Sequence, residues 1–95
     1  MTVRFHPAAR RELREAKIWY EERSPLSAAA FARDVAQAVD RIVEAPDRYP
    51  MAEHGTRRFV LQAFPFNIFY RLGANQIVIV AIAHQKRQPG YWRTR

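Results

Sequence analysis

A chain of 95 residues, 48% hydrophobic and 13% aromatic, is one small domain with a single modest core and is too apolar for a disordered segment. It has no cysteine, which excludes disulfides and thiolate metal sites, and its three histidines, His6, His54 and His84, lack metal-ligand spacing. The net charge of +7 is one-sided: residues 1–53 carry nine bases and nine acids, whereas residues 54–95 carry seven bases and no acid. Charge so placed is the footprint of a polyanion or an acidic protein partner, since a merely solvating surface mixes its signs.

Thr2–Phe5, with Val3 and Phe5 at period two, reads as a brief strand. Pro7 suits the first turn of a helix. From Ala8 to about Glu22, Ala9, Leu13, Ala16 and Tyr20 recur at helical spacing, with Ile18 and Trp19 widening the stripe. The charges between them, Glu12 included, read as a solvated face. Ser24-Pro25 closes this helix and opens a second that runs to Ala45, before Pro46. Its stripe is Ala28, Phe31, Val35, Ala38 and Ile42, with Val39 alongside. So short a join predicts an antiparallel helical hairpin with apolar faces that need a sheet to cover.

Residues 46–56, PDRYPMAEHGT, are a loop punctuated by two prolines and a glycine, with Tyr49 turned to the core and His54 to solvent. Three strands follow: Arg57–Phe64, Phe66–Leu72 and Ile77–Ala83, the last two joined by a turn at Gly73-Ala74-Asn75-Gln76. Ile77–Ala83 is apolar on both faces, so it is a central strand. Helices cover one of its faces; the tail or another protein must cover the other. The tail itself holds His84, Lys86, Arg87, Tyr91, Trp92, Arg93 and Arg95, cations and rings suited to gripping a polyanion. Arg93 and Arg95 are expected to be disordered charge, and Trp92 to pack the tail onto the sheet. No apolar run approaches the roughly 18 residues of a membrane helix, and the first residues lack the apolar core of a signal peptide, so the expected compartment is the cytoplasm.

Several stretches, in order, carry a family resemblance: F-H-P-A-A-R-R-E-L at Phe5–Leu13, W-Y-E-E at Trp19–Glu22, P-D-R-Y-P at Pro46–Pro50, R-R-F-V-L at Arg57–Leu61, F-P-F-N-I-F-Y-R at Phe64–Arg71, and A-I-A-H-Q-K-R-Q-P-G-Y-W at Ala81–Trp92. Together they resemble the RelE/ParE superfamily of bacterial type II toxins over nearly the whole chain. The resemblance implies one α+β domain, residues 1–95, with a short N-terminal strand, a two-helix hairpin, three antiparallel strands and a basic C-terminal tail. It also implies a growth-arresting toxin held inactive by a cognate antitoxin in a hetero-oligomer, with no cofactor and no membrane partner. In the family the antitoxin covers the sheet and masks basic residues, which suits both the one-sided charge and the surplus apolar surface of the last strand.

The superfamily has two activities, and fold alone does not choose between them. The first reading is a metal-independent endoribonuclease that cleaves messenger RNA on the ribosome. The 2′-hydroxyl would attack the phosphate while side chains move two protons and cations steady the added charge. By resemblance Arg87 would clamp the phosphate, Tyr91 would stack on a base or help move a proton, and His84 and Lys86 would serve charge stabilisation and proton transfer. Arg58 and Arg71, from neighbouring strands, and Arg93 would bind nucleic acid; alternatively Arg71 pairs with an acid of the antitoxin. The second reading is a ParE-like inhibitor of DNA gyrase that breaks no bond. Here Asn67 stands where ribonuclease members often have a catalytic arginine, Glu53-His54-Gly55-Thr56 stands where a lysine pair is expected, and His84-Gln85 resembles the ParE-like strand end. A third reading is a non-toxic nucleic-acid-binding module, its rings stacking on single-stranded bases.

Overall fold

A computed structural model describes residues 1–95. Its elements are β1 (Thr2–Phe5), α1 (Pro7–Arg23), α2 (Pro25–Glu44), β2 (Arg57–Val60), β3 (Phe66–Leu72) and β4 (Gln76–His84), with a single 3₁₀ turn at Glu53–Gly55. The helical hairpin turns on one residue. The Ser24 amide donates to the Tyr20 carbonyl at 2.7 Å, ending α1, while its hydroxyl accepts from the Ser27 amide at 3.3 Å, starting α2. At the other end of α1, Nδ1 of His6 accepts from the Ala8 amide at 3.0 Å, and Pro7 fills the position where no donor is needed.

The four strands form one sheet in the order β1-β4-β3-β2. β2, β3 and β4 are antiparallel neighbours, as expected. β1 lies parallel to β4, Thr2 opposite Gln76 and Phe5 opposite Ile79, which makes the sheet mixed. β4 is thus flanked on both edges and buried on both faces, as its unbroken apolar sequence requires.

The helices cover one face. Ala28, Phe31, Val35, Ala38 and Ile42 of α2 are all buried, and with Ala9 and Ala16 of α1 they meet Ile68, Tyr70, Ile77, Ile79 and Ile82 of the sheet. Alanines predominate on α1 because that helix lies close to β4. Phe31 is the centre of an aromatic cluster, its ring 5.2 Å from Tyr20, 5.3 Å from Phe64 and 5.1 Å from Phe66. Tyr70 is fully buried and donates to the Pro46 carbonyl at 2.6 Å, which ties the α2–β2 loop to the sheet; burial pushes its phenol up to about 12.

The other face is closed by the tail. The Trp92 indole is 1% exposed and stacks on Phe69 at 3.8 Å between ring centres, over Val80, Ala81 and Ala83. Val80 is an extra residue on β4: Phe69 stands opposite Ala81 and Tyr70 opposite Ile79. This bulge puts both Val80 and Ala81 in the tail-side cluster and returns Ile82 to the helix side.

Two local expectations are corrected and a third is settled. The strand expected over Arg57–Phe64 ends at Val60, because the Phe66 amide bonds back to the Phe64 carbonyl at 2.8 Å in a tight turn that seats Phe64 among the rings of α1 and α2. Ile18 and Trp19 do not widen the buried stripe of α1; they are 52% and 51% exposed. Of the two covers expected for the second face of β4, the tail or another protein, the tail supplies one through Trp92. Replacing Phe31 by alanine is expected to cost about 3–5 kcal/mol, since it empties the junction of helices and sheet; a urea titration checks this.

Candidate functional site

Glu12 stands on α1 between Ala9 and Ala16, and its side chain is 10% exposed. Its carboxylate is the meeting point of α1, β4 and the tail. Oε1 accepts from the Ile82 amide at 3.1 Å and from Nη1 of Arg95 at 2.8 Å. Oε2 accepts from the Tyr91 hydroxyl at 2.7 Å and from Nη2 of Arg95 at 3.0 Å. The Arg95 contact is a two-pronged guanidinium–carboxylate pair, the strongest such geometry. Arg95 also donates to the Val80 carbonyl at 3.1 Å, satisfying an oxygen at the bulge. The Glu12 hydrogen bonds hold the Arg95 guanidinium's proton more firmly than usual. Burial raises the Tyr91 phenol well above its ordinary range, and the hydrogen bond to Glu12 and that carboxylate's charge raise it further against the pull of Arg87 and Arg95. Arg95 is therefore fixed, which corrects the expectation of a disordered charge.

Arg87 lies in the turn after β4. Its guanidinium sits 3.9 Å from the centre of the Tyr91 ring, and Nη1 is 3.9 Å from Oε2 of Glu12. His84, the last residue of β4, is exposed; its ring meets Phe66 edge-on at 5.2 Å and its Nδ1 accepts from the Lys86 amide at 3.1 Å. These two residues border two hollows. One, of about 410 Å³, lies between α1 and the end of β4 and is walled by Glu15, Trp19, Tyr20 and Phe66. The other, of about 190 Å³, lies on the tail side and adds Arg58, Asn67, Tyr91 and Trp92.

The expected site residues thus divide. His84, Arg87, Tyr91 and Arg58 come together around the tail-side hollow. Lys86 and Arg93 are exposed and border neither hollow. Arg71 is turned to structural use: it donates to the His54 carbonyl at 3.1 and 3.3 Å and to the Arg95 carbonyl at 2.7 Å, joining the 51–56 loop to the tail. His54 itself has φ of 58°, and Gly90, at φ of 79°, passes so close that an added Cβ would meet Nε2 of His54 at 3.2 Å. Glu12 escaped notice in the sequence because charge surrounds it. The signal was its spacing, three residues after Ala9 and four before Ala16, which places a carboxylate on the buried stripe.

A helical hairpin covers one face of a mixed sheet, and a basic tail is folded over the other. A family model described as "ParE toxin of type II toxin-antitoxin system, parDE" matches residues 3–89, and the chain belongs to that family. A solved structure from P. aeruginosa, described as a chromosomal ParDE TA system, shares the fold with a TM-score of 0.78 at 20% identity, covering 88% of this chain and 95% of that one. No curated protein sequence matches this chain. As a toxin of this kind it has a cognate antitoxin as its partner. No helix is long and apolar enough to cross a membrane.

Replacing Glu12 by glutamine keeps the shape and strands the Arg95 charge; it is expected to cost about 3 kcal/mol and to speed hydrogen exchange at the Ile82 amide. The two raised phenols set an alkaline limit as well. Tyr70 and Tyr91 keep their protons in the fold where the unfolded chain loses them, so their contribution to stability is complete below about pH 10 and is lost as pH rises toward 12 and beyond. Absorbance titration should show these two phenols ionising only as the protein unfolds.

Proposed function

We propose that this toxin arrests growth by binding a protein target, DNA gyrase, and breaks no bond itself. The carrying observation is the Tyr91 hydroxyl. Its proton is committed to Glu12 at 2.7 Å and its ionisation is driven upward, so it is poorly suited to take a proton from a ribose hydroxyl. Nδ1 of His84 is likewise engaged by the Lys86 amide, and Lys86 stands apart from Arg87's hollows. The ParE family match and the His84-Gln85 strand end favour the same reading.

On this reading His84, Arg87 and Arg58 are contact residues, presented by the end of β4 and the edge of β2. The antitoxin need not cover the sheet, since Trp92 does so; it acts by masking the basic surface and the exposed rings. The test compares two assays on the same preparation, purified free of antitoxin. DNA supercoiling by gyrase is expected to stop at stoichiometric toxin and to recover with Arg87→Ala, while messenger RNA on programmed ribosomes stays intact. Cleavage within the A-site codon, abolished by Arg87→Ala, would overturn the proposal and restore the ribonuclease reading.

A further inference from the structure

The outward face of α2 carries a second stripe that nothing in the protein covers. Leu26, Ala29, Arg33, Ala36, Asp40 and Val43 follow one another at alternating steps of three and four residues, and every one of them is exposed. This is the seam spacing of a helix that lies along another helix, and it runs opposite the buried stripe of Phe31, Val35 and Ile42. Its two ends are apolar: Leu26 is 83% exposed and Val43 37%. Ala29 and Ala36 are small enough to let a second helix come close. At Ala36 and Asp40 the stripe borders a hollow of about 360 Å³ between the two helices, with Leu13 and Val39 in its wall. The two remaining positions hold opposite charges, and neither Arg33 nor Asp40 is in an ion pair.

We infer that this face binds the same face of a second copy of the chain, the two α2 helices lying antiparallel about a twofold axis. The spacing fixes the register. Leu26 meets Val43 of the second copy at both ends of the seam, and Arg33 meets Ala36 of the second copy near its centre. Arg33 then stands one helical turn from Asp40 of the second copy, within reach of a long guanidinium side chain, and the symmetry makes that pair twice. The order of the charges selects this occupant. A uniformly acidic or basic segment laid along the stripe meets a like charge at Asp40 or at Arg33, and a parallel copy sets each charge against itself. A reversed copy meets an opposite charge at both. Trp92 and the tail close the far side of the sheet, so joining two copies through α2 leaves both tails uncovered. The inference does not rest on what those tails bind.

The experiment is sedimentation equilibrium of the full chain, purified free of antitoxin, at concentrations from about 1 μM to about 1 mM. The wild type is expected to pass reversibly from monomer to dimer across this range. Arg33→Asp and Asp40→Arg each leave the stripe with charge of one sign, and each is expected to weaken the dimer about tenfold. Mixed in equal amounts, the two variants are expected to dimerise with each other at wild-type strength, because one copy then carries two acids where the other carries two bases. Both changes together in one chain restore the order of opposite charges and are expected to restore the dimer. Both positions are exposed, and circular dichroism of each variant checks that the helices persist. A wild type that stays monomeric at the highest concentration would overturn the second copy as occupant and leave the face to a different protein. A dimer that neither single change weakens, or single variants that fail to recover on mixing, would overturn the seam. No reading uses gyrase, so failure of the seam and failure of the target proposal are told apart.

Discussion

The carboxylate of Glu12 is the contact on which the tail depends. It is nearly enclosed, and an enclosed carboxylate is costly unless every lone pair is used. Here a strand amide, a phenol and a two-pronged guanidinium use them. Each donor comes from a different part of the later chain, while the acceptor comes from the first helix. The arrangement also explains part of the charge imbalance. Of the seven bases beyond residue 53, Arg95 and Arg87 have Glu12 as counter-ion and Arg57 has Asp47. Arg58, Arg71, Lys86 and Arg93 have none, and of these Arg71 is spent on backbone carbonyls. The positive surface left for a partner is therefore smaller than the composition implies, and it gathers near the ends of β2 and β4.

The two faces of the sheet are closed by different means. The helix side is closed by two regular stripes whose small residues allow close approach. The tail side is closed by one large ring, Trp92 on Phe69, held in place by the Glu12 contacts next to it in sequence. A single indole supplies the cover that the tail or a partner was expected to give. The β4 bulge serves both faces, since it sends His84 back to the helix side beside Phe66 while Ala83 stays beneath the tail.

Much of this was readable in advance where the signal is local. The stripe of α2 was legible residue for residue because 3.6-residue periodicity depends on nothing outside the helix. Ser24-Pro25 announced a cap and a start by local chemistry alone, and the apolar run of β4 announced burial on both faces. What escaped was non-local. The parallel partner of β1 lies some seventy residues away, and a four-residue strand carries no mark of which edge it will join. Glu12 was hidden because its donors are 70 to 83 residues distant. β2 ends at Val60 although its alternation continues to Ala63, because an aromatic cluster elsewhere claims Phe64. Of the expected site residues, Arg58, His84, Arg87 and Tyr91 line one hollow, while the engagement of the Tyr91 hydroxyl by Glu12 had no local signal.

The parallel pairing of β1 with β4 has a consequence for how the molecule comes into being. Residues 2–5 have no partner until residues 76–79 exist, and α1 has neither its strand nor its tail contacts before then. As the chain emerges from the ribosome, the hairpin of helices can form early, but its apolar face must wait for nearly all the rest. The basic surface near the ends of β2 and β4 is therefore assembled only at the close of synthesis. A chain that stops short of β4 leaves a sticky pair of helices and no finished surface with which to seize a target.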